Sequence, residues 1–332
     1  MIVDGNAPQA IAQAANTLAA GELVAFPTET VYGLGADAEN DDAIANIFAA
    51  KGRPSDHPLI VHIANASLVV YFASSVPPFA HALMNAFWPG PLTLILPRRA
   101  GVAQASAGGQ DSIGLRCPAH PVAQALLHAC LNLSSGPVRG LAAPSANQFG
   151  RVSPTSAQHV LAEFAPQLLV LDGGACPVGI ESAIVDCTRA RPVLLRPGML
   201  TAAQLERAAG VPVVPAKAYD PTAPRASGTL EAHYAPRAKL RLMDADALQS
   251  ALDLLGKDGK AIAVYSRAIL RCASAAVLCR RMPDDAGEVA RQLFAVLREF
   301  DAAGVKLIWV EVPPDLPEWA GVRDRLQRAA AA

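Results

Sequence analysis

Residues Leu23 to Gly35 read LVAFPTETVYGLG, and the fold turns on how this stretch is read. It opens with four apolar residues, Leu23, Val24, Ala25 and Phe26, which suit a short buried strand. Pro27 has no amide hydrogen for a sheet ladder, so the strand is expected to end there. Thr28, Glu29 and Thr30 form a polar turn before Val31 and Tyr32. Gly33 and Gly35 are expected to supply backbone shapes that other residues resist. A polar turn at the carboxyl end of a buried strand is where open α/β sheets hold ligands. An ordinary hydroxyl-rich turn reads the same way in isolation, so the rest of the chain has to decide.

The chain has 332 residues, 52% hydrophobic and 17% charged, enough for two domains and a sizeable core. A formal net charge of −1 counts against a strongly basic nucleic-acid surface, while leaving room for a local patch. No basic-then-apolar leader opens the sequence, and no apolar run is long enough to span a bilayer. Cys117, Cys130, Cys176, Cys187, Cys272 and Cys279 form no C-x-x-C pair and no metal-like grouping with histidine. They are expected to be buried thiols of a reducing cytosol.

Outward from the opening strand, helical spacing and caps alternate with short apolar runs. Pro8 opens a helix with Ile11, Ala14, Ala15 and Leu18 on one face, ended by Gly21. Asp41 or Asp42 is expected to cap a helix carrying Ile44, Ile47 and Phe48. Strands are expected at Leu59 to Ile63, Leu92 to Leu96, Ile113 to Arg116, Leu141 to Ala143, Leu168 to Leu171, Ala183 to Asp186 and Val193 to Leu195. Helices follow Pro77, Pro121 and Ser153-Pro154, and Thr201 caps one more.

From Gly210 to Pro236 the pattern dissolves, with prolines at 212, 215, 221 and 224, and the stretch reads as a linker. This divides the chain into residues 1–209, the linker at 210–236, and residues 237–332. The last part alternates strand and helix: strands at Leu240 to Met243, Ala261 to Tyr265, Ala276 to Leu278 and Leu307 to Val312, helices at Ala247 to Leu255 and Glu288 to Phe300. That predicts a small Rossmann-like parallel-sheet domain. It lacks the G-x-G-x-x-G turn, so no dinucleotide is assigned to it. The alanine-rich tail after Trp319 reads as a frayed helix.

The chemistry-bearing residues gather at expected strand and helix ends. Lys51 and Arg53 flank Gly52: either charges that suit a helix C-terminus, or a phosphate clamp on a solvent-facing turn. Arg116 ends a strand near a core edge and needs an anionic partner, internal or ligand. His62 lies inside a strand, where a satisfied structural histidine is the common case. Ser145 and Asn147 follow Pro144 in a small-residue turn, with Ser153 further on. Glu181-Ser182, Arg196 and His233-Tyr234 complete the set. Neither a Walker loop nor a local Ser–His–Asp motif occurs.

Taken in order, these stretches resemble the YrdC-domain family, and the layout looks like its long two-domain threonylcarbamoyl-AMP synthases. The matching segments are FPTETVYGLG at Phe26 to Gly35, KGRPSDHPLIVHI at Lys51 to Ile63 and WPGPLTLIL at Trp88 to Leu96. They continue as IGLRCPAHP at Ile113 to Pro121, AAPSAN at Ala142 to Asn147, ESAIVD at Glu181 to Asp186, LLRPG at Leu194 to Gly198 and HYAP at His233 to Pro236. The resemblance implies an α/β fold: an open twisted mixed sheet with a ligand cavity, followed by the smaller parallel-sheet domain. It implies a cytoplasmic nucleotidyltransferase that joins L-threonine, bicarbonate and ATP, with Mg²⁺ accompanying the nucleotide, and releases pyrophosphate. The product passes to the tRNA threonylcarbamoyl-transfer machinery, and direct tRNA binding is expected to be weak or absent. By resemblance, Thr30, His62, Arg116 and Ser182 hold threonine. Lys51, Arg53, His57, Ser112, Ala143, Ser145, Asn147, Ser153, Arg196 and Tyr234 surround ATP, with Lys51 and Arg53 central to catalysis.

The sequence departs from the family pattern at His57, where many relatives carry asparagine. It departs again at Ala226-Ser227-Gly228-Thr229, where many long relatives have Ser-Pro-Gly-Met. Two other readings compete. One is a YrdC-like module that grips RNA during ribosome assembly, which the near-neutral charge disfavours. The other is a carbamoyl-phosphate-dependent transferase, whose extra segments the length and cysteine spacing leave no room for.

Overall fold

The computed structural model describes residues 1–216, 223–256, 260–268 and 270–332. Pro221 and the adjoining part of the linker lie outside the described residues. The chain divides into two units, Met1–Phe149 with Ser153–Thr229, and Gly150–Val152 with Leu230–Ala332.

The first unit runs β1 (Ile2–Asp4), α1 (Pro8–Ala19), β2 (Val24–Phe26), β3 (Gly33–Asp37), α2 (Asp41–Lys51), β4 (Ile60–His62), α3 (Val69–Phe72), α4 (Pro78–Phe87), β5 (Leu92–Pro97) and β6 (Ser112–Arg116). It continues with α5 (Pro121–Leu131), β7 (Leu141–Ala142), α6 (Ala157–Leu161), β8 (Leu169–Asp172), β9 (Ala183–Asp186), β10 (Val193–Arg196), α7 (Ala202–Ala209) and β11 (Val214–Pro215). Among the described residues the strands form one mixed sheet in the order β1-β8-β2-β3-β7-β4-β6-β5-β9-β10-β11. β11 pairs in parallel with β10, so the first residues of the proline-punctuated stretch belong to this sheet.

Strand alternation sorts the side chains of this sheet. Val61, Leu94, Leu115, Ala183 and Val185 point into a core shared with Ile44 and Ile47 of α2, Leu83 of α4 and Leu205 of α7. Their neighbours Ile60, Ser112, Gly114, Thr93, Ile95 and Ile184 line a cavity. A second core packs α1 and α5, through Ile11, Leu18, Leu126 and Leu127, against Phe26 and Leu171.

Three local readings need correction. Gly33 and Gly35 do not adopt a left-handed backbone; they form β3, antiparallel to β2. Their need for glycine is close packing, since a Cβ on Gly35 would lie 2.7 Å from the Phe26 ring. The cap of α2 is Asn40, whose side chain accepts from Ala43 N at 3.0 Å. Asp41 and Asp42 instead occupy the first turn, where negative charge suits the helix dipole. Of the cysteines, four are buried, while Cys272 is half-buried and Cys279 exposed.

The second unit contains β12 (Lys239–Met243), α8 (Ala245–Leu255), β13 (Ile262–Ser266), β14 (Leu278–Arg281), α9 (Ala286–Ala302), β15 (Leu307–Glu311) and α10 (Ala320–Ala330). Its strands are parallel in the order β12-β15-β13-β14. The strand expected at Ala276 to Leu278 lies further along, at Leu278–Arg281. It is an exposed edge strand, so apolar content does not mark it. The tail is not a frayed helix: α10 buries Val322, Arg325, Leu326 and Ala329 at helical spacing. Among the described residues no helix is long and apolar enough to cross a membrane.

Candidate active site

The cavity face of the first sheet collects the candidate residues. β4 and β6 are parallel, and His62 pairs in register with Arg116, so both side chains project from the same face. Both are buried. Among the described residues, His62 Nδ1 and Arg116 Nε are buried without a hydrogen-bond partner. Two orphaned nitrogens at adjacent register positions are costly unless something else meets them. Burial, and then the Arg116 charge, push the His62 pKa down to about 3, so this imidazole is neutral.

Arg116 finds its anion inside the chain. Its Nη2 donates to Glu29 Oε1 at 2.6 Å, and Ala119 N donates to Glu29 Oε2 at 3.0 Å. Glu29 is held by the polar turn after β2, where Thr28 Oγ1 accepts from Thr30 N and Val31 N. Thr28 and Thr30 share a hydroxyl–hydroxyl bond of 2.8 Å, and Thr30 is fully buried. The Phe26 ring meets His62 edge-on at 6.1 Å.

On the next strands, Ser182 Oγ bonds Thr93 Oγ1 at 2.8 Å. Arg196 reaches the same serine twice, with Nε to Ser182 O at 3.0 Å and Nη2 to Oγ at 3.2 Å. Arg196 Nη1 donates to Ser227 O at 2.8 Å. Arg53 Nη2 donates to Ser227 Oγ at 3.3 Å and to Pro58 O at 3.0 Å, so both guanidinium groups converge on Ser227. Arg225, Ala226 and Ser227 line a narrow cavity, together with Ile60, Thr93 and Ser112. Gly114 adds no side chain to its floor.

Lys51 is the last residue of α2, yet it is buried rather than set on a solvent-facing turn. Its Nζ donates to Ser145 O at 2.6 Å and to Asn147 O. Burial, then the neighbouring Arg53 charge, push its pKa well below the usual lysine range. An anion beside it would restore the ammonium form. Ala143 is buried next to this turn, and Ser153 bonds Glu181 Oε1. His57 is half-buried beside Phe149, and burial, then Arg53, lower its pKa.

The first unit therefore brings together Lys51, Ser145 and Asn147 in one place, and Arg53, Arg196 and Ser182 in another, with His62 and Arg116 in register. Tyr234 falls in the second unit, where it stacks on Phe294 at 5.5 Å beneath the Arg325 guanidinium. Glu29, Thr93, Gln110 and Ser227 carry contacts that the sequence reading did not assign. Strand alternation in β5 could have flagged Thr93; the other three depend on segments distant in sequence.

A mixed α/β sheet whose one face gathers buried cations, hydroxyls and a neutral histidine around a cavity defines a class: enzymes that bring an anionic, phosphorylated ligand to a small polar substrate. The chain belongs to the Sua5/YciO/YrdC family: the family model described as "Telomere recombination" matches residues 16–198. A second model, "Threonylcarbamoyl-AMP synthase, C-terminal domain", matches residues 200–331. The threonylcarbamoyl-AMP synthase of Pyrococcus abyssi is 39% identical over 328 residues, covering 96% of this chain and 93% of the relative. That of Bacillus subtilis is 39% identical over 333 residues, covering 98% and 94%. The crystal structure of P. abyssi Sua5 complexed with L-threonine superposes with a TM-score of 0.88 at 36% identity, covering 99% of this chain and 97% of that one.

Proposed function

We propose that this chain synthesises L-threonylcarbamoyl-AMP from L-threonine, bicarbonate and ATP, releasing pyrophosphate. The product supplies threonylcarbamoyl modification of the adenosine beside the tRNA anticodon. One observation carries the reading: among the described residues, His62 Nδ1 and Arg116 Nε are buried without a hydrogen-bond partner on side chains paired in register. A small amino acid with a carboxylate and a hydroxyl satisfies such a site. Arg116 takes the carboxylate through its Nε–H, while Ser182 and Thr30 offer hydroxyls.

The nucleotide occupies the neighbouring cavity. Arg53, Arg196 and Lys51 meet its phosphates by charge and by fork geometry. Phosphate contact returns Lys51 to its charged form. Ser112, Ser145, Asn147 and Ser153 contribute polar groups, Ala143 leaves room for close approach, and His57 borders the site as a neutral ring. Tyr234 is assigned to the nucleotide by family resemblance. Among the described residues no cluster of three or more histidine, cysteine or acidic side chains could hold a metal, so Mg²⁺ would be held largely by the nucleotide's own phosphates, whose charge it would help to neutralise.

In the chemical step, a carbamate oxygen of carboxylated threonine attacks the α-phosphorus and the bond to pyrophosphate breaks. Such a transfer depends on positioning and charge neutralisation rather than on a covalent nucleophile. The reaction belongs in the cytoplasm, with the product passed to the tRNA-modifying transfer machinery. Mass detection of threonylcarbamoyl adenylate from purified protein with threonine, bicarbonate and ATP tests this directly. Pyrophosphate release that proceeds equally well without threonine would defeat it.

A further inference from the structure

Glu29 has a role beyond filling a core. Its side chain is 7% exposed and pairs with Arg116, itself 5% exposed, at 2.6 Å. Its backbone is fixed as well, because Val178 N donates to Glu29 O at 2.8 Å. The pair engages Nη2 of the Arg116 fork and, among the described residues, leaves buried Nε without a partner. The other titratable groups around the pair are uncharged. Burial pushes the Cys117 and Cys176 thiols up to about 11 and about 12, and holds His62 and His120 neutral. The further buried charges bordering Ser182, Glu181 and Arg196, are of opposite sign.

A lone buried guanidinium would accept any small carboxylate, because the anion would cancel its charge. Arg116 is already cancelled. A bare anion placed on it leaves a net buried negative charge, whereas a zwitterion adds none. We infer that Glu29 is a specificity-determining residue: by offsetting Arg116 it makes the amino-acid subsite electrically neutral, so that the subsite takes a zwitterionic amino acid and rejects a simple carboxylate. The inference rests on the reading that Arg116 and His62 form the threonine subsite.

The test is calorimetric, on the full chain, with L-threonine and with 3-hydroxybutyrate, which is threonine without its amino group. The unaltered chain binds threonine at least tenfold more tightly. Glu29→Gln keeps the shape and loses the charge; it weakens threonine at least tenfold and strengthens 3-hydroxybutyrate, so the preference collapses. Glu29→Asp keeps the charge and shortens the reach; it retains the preference even where both ligands weaken. If Glu29→Gln lowers both affinities by the same factor, the residue is only a structural partner of Arg116 and the inference falls. If Glu29→Gln fails to fold, the unaltered chain and Glu29→Asp decide, and equal binding of the two ligands by either one overturns it. An unaltered chain that binds ATP but no threonine overturns the parent reading, and this inference with it.

Discussion

At the scale of single residues, the site is governed by what burial does to charge. Arg116 presents a planar fork with Nη2 on Glu29 and, among the described residues, Nε without a partner, and a lysine ammonium cannot occupy both positions. Arg116→Lys should therefore weaken threonine binding at least tenfold and leave ATP binding nearly unchanged; calorimetry showing equal threonine affinity would place Arg116 among purely structural residues. His62 gives a separate test through acid stability. In the unfolded chain a histidine takes up a proton near pH 6.5, whereas His62 in the fold does so only near 3. Between those values the unfolded state binds more protons, so stability falls as the pH falls, by up to ~1.4 kcal/mol per pH unit for one such group. His57 and His120, also lowered, act in the same direction. Urea midpoints measured from pH 7 to pH 4 should decline, and His62→Asn should flatten that decline; an unchanged slope would remove His62 as its source. Both residues were visible in the sequence as polar groups in apolar strands. Glu29 was visible only as part of a polar turn, because nothing local says that a carboxylate will meet an arginine 87 positions later.

At the scale of elements, the sequence exposed strands with a two-sided apolar pattern and concealed those without one. β4, β5, β6 and β9 were legible because they alternate core and cavity residues. The edge strand β14 was displaced in the reading because all four of its residues are exposed. The linker was legible as a proline-punctuated stretch, but its docking was not. Gln110 bonds the main chain of Arg225 on both sides, accepting from N at 2.7 Å and donating to O at 3.3 Å. Ser227 Oγ donates to Pro58 O at 2.8 Å. The exposed Arg225–Asp56 ion pair adds little to this. Gln110→Ala removes both main-chain bonds. Trypsin cleavage after Arg225 should become severalfold faster in this variant, and threonine with ATP should slow it in the unaltered chain. Equal cleavage in both proteins, with or without ligands, would mean that the segment is not held by Gln110.

At the scale of the whole molecule, the question is what the second unit contributes. It holds no cluster of three or more histidine, cysteine or acidic residues fit for a metal among its described residues, and it lacks a dinucleotide turn. It does hold the end of the linker firmly. Tyr234, in a left-handed backbone conformation at φ 60°, is buried between Phe294 of α9 and Arg325 of α10. It also binds Gly150–Val152, through Ala235 N to Gly150 O at 2.8 Å and through Arg298 to Val152 O. Those three residues lead directly into Ser153, which bonds Glu181 next to Ser182. Removing the second unit therefore frees two chain segments at once: the anchored end of the linker, and the approach to Ser153. Two truncations separate these effects. A chain ending at Thr229 keeps Arg225 and Ser227 but loses the partners of Gly150–Val152. A chain ending at Gly210 loses the docking segment as well, and with it β11, so that the cavity opens to water. Closure matters for a reactive mixed anhydride product, which water destroys. Both truncations should remain soluble, since the cores around α2, α4, α5 and β5 lie in the first unit, and the chain ending at Gly210 loses only Val211 and Val213 from them. Synthesis should fall at least tenfold in the chain ending at Thr229. The chain ending at Gly210 should fall further and release free AMP as well as intact product, measured by chromatography of the nucleotide pool. Phe294→Ala in the full chain, which removes the ring that Tyr234 stacks on, should reproduce part of the first loss. Full activity in the chain ending at Gly210 would show that neither the linker nor the second unit is needed for the reaction. The anchoring of Tyr234 would then have to serve something other than synthesis.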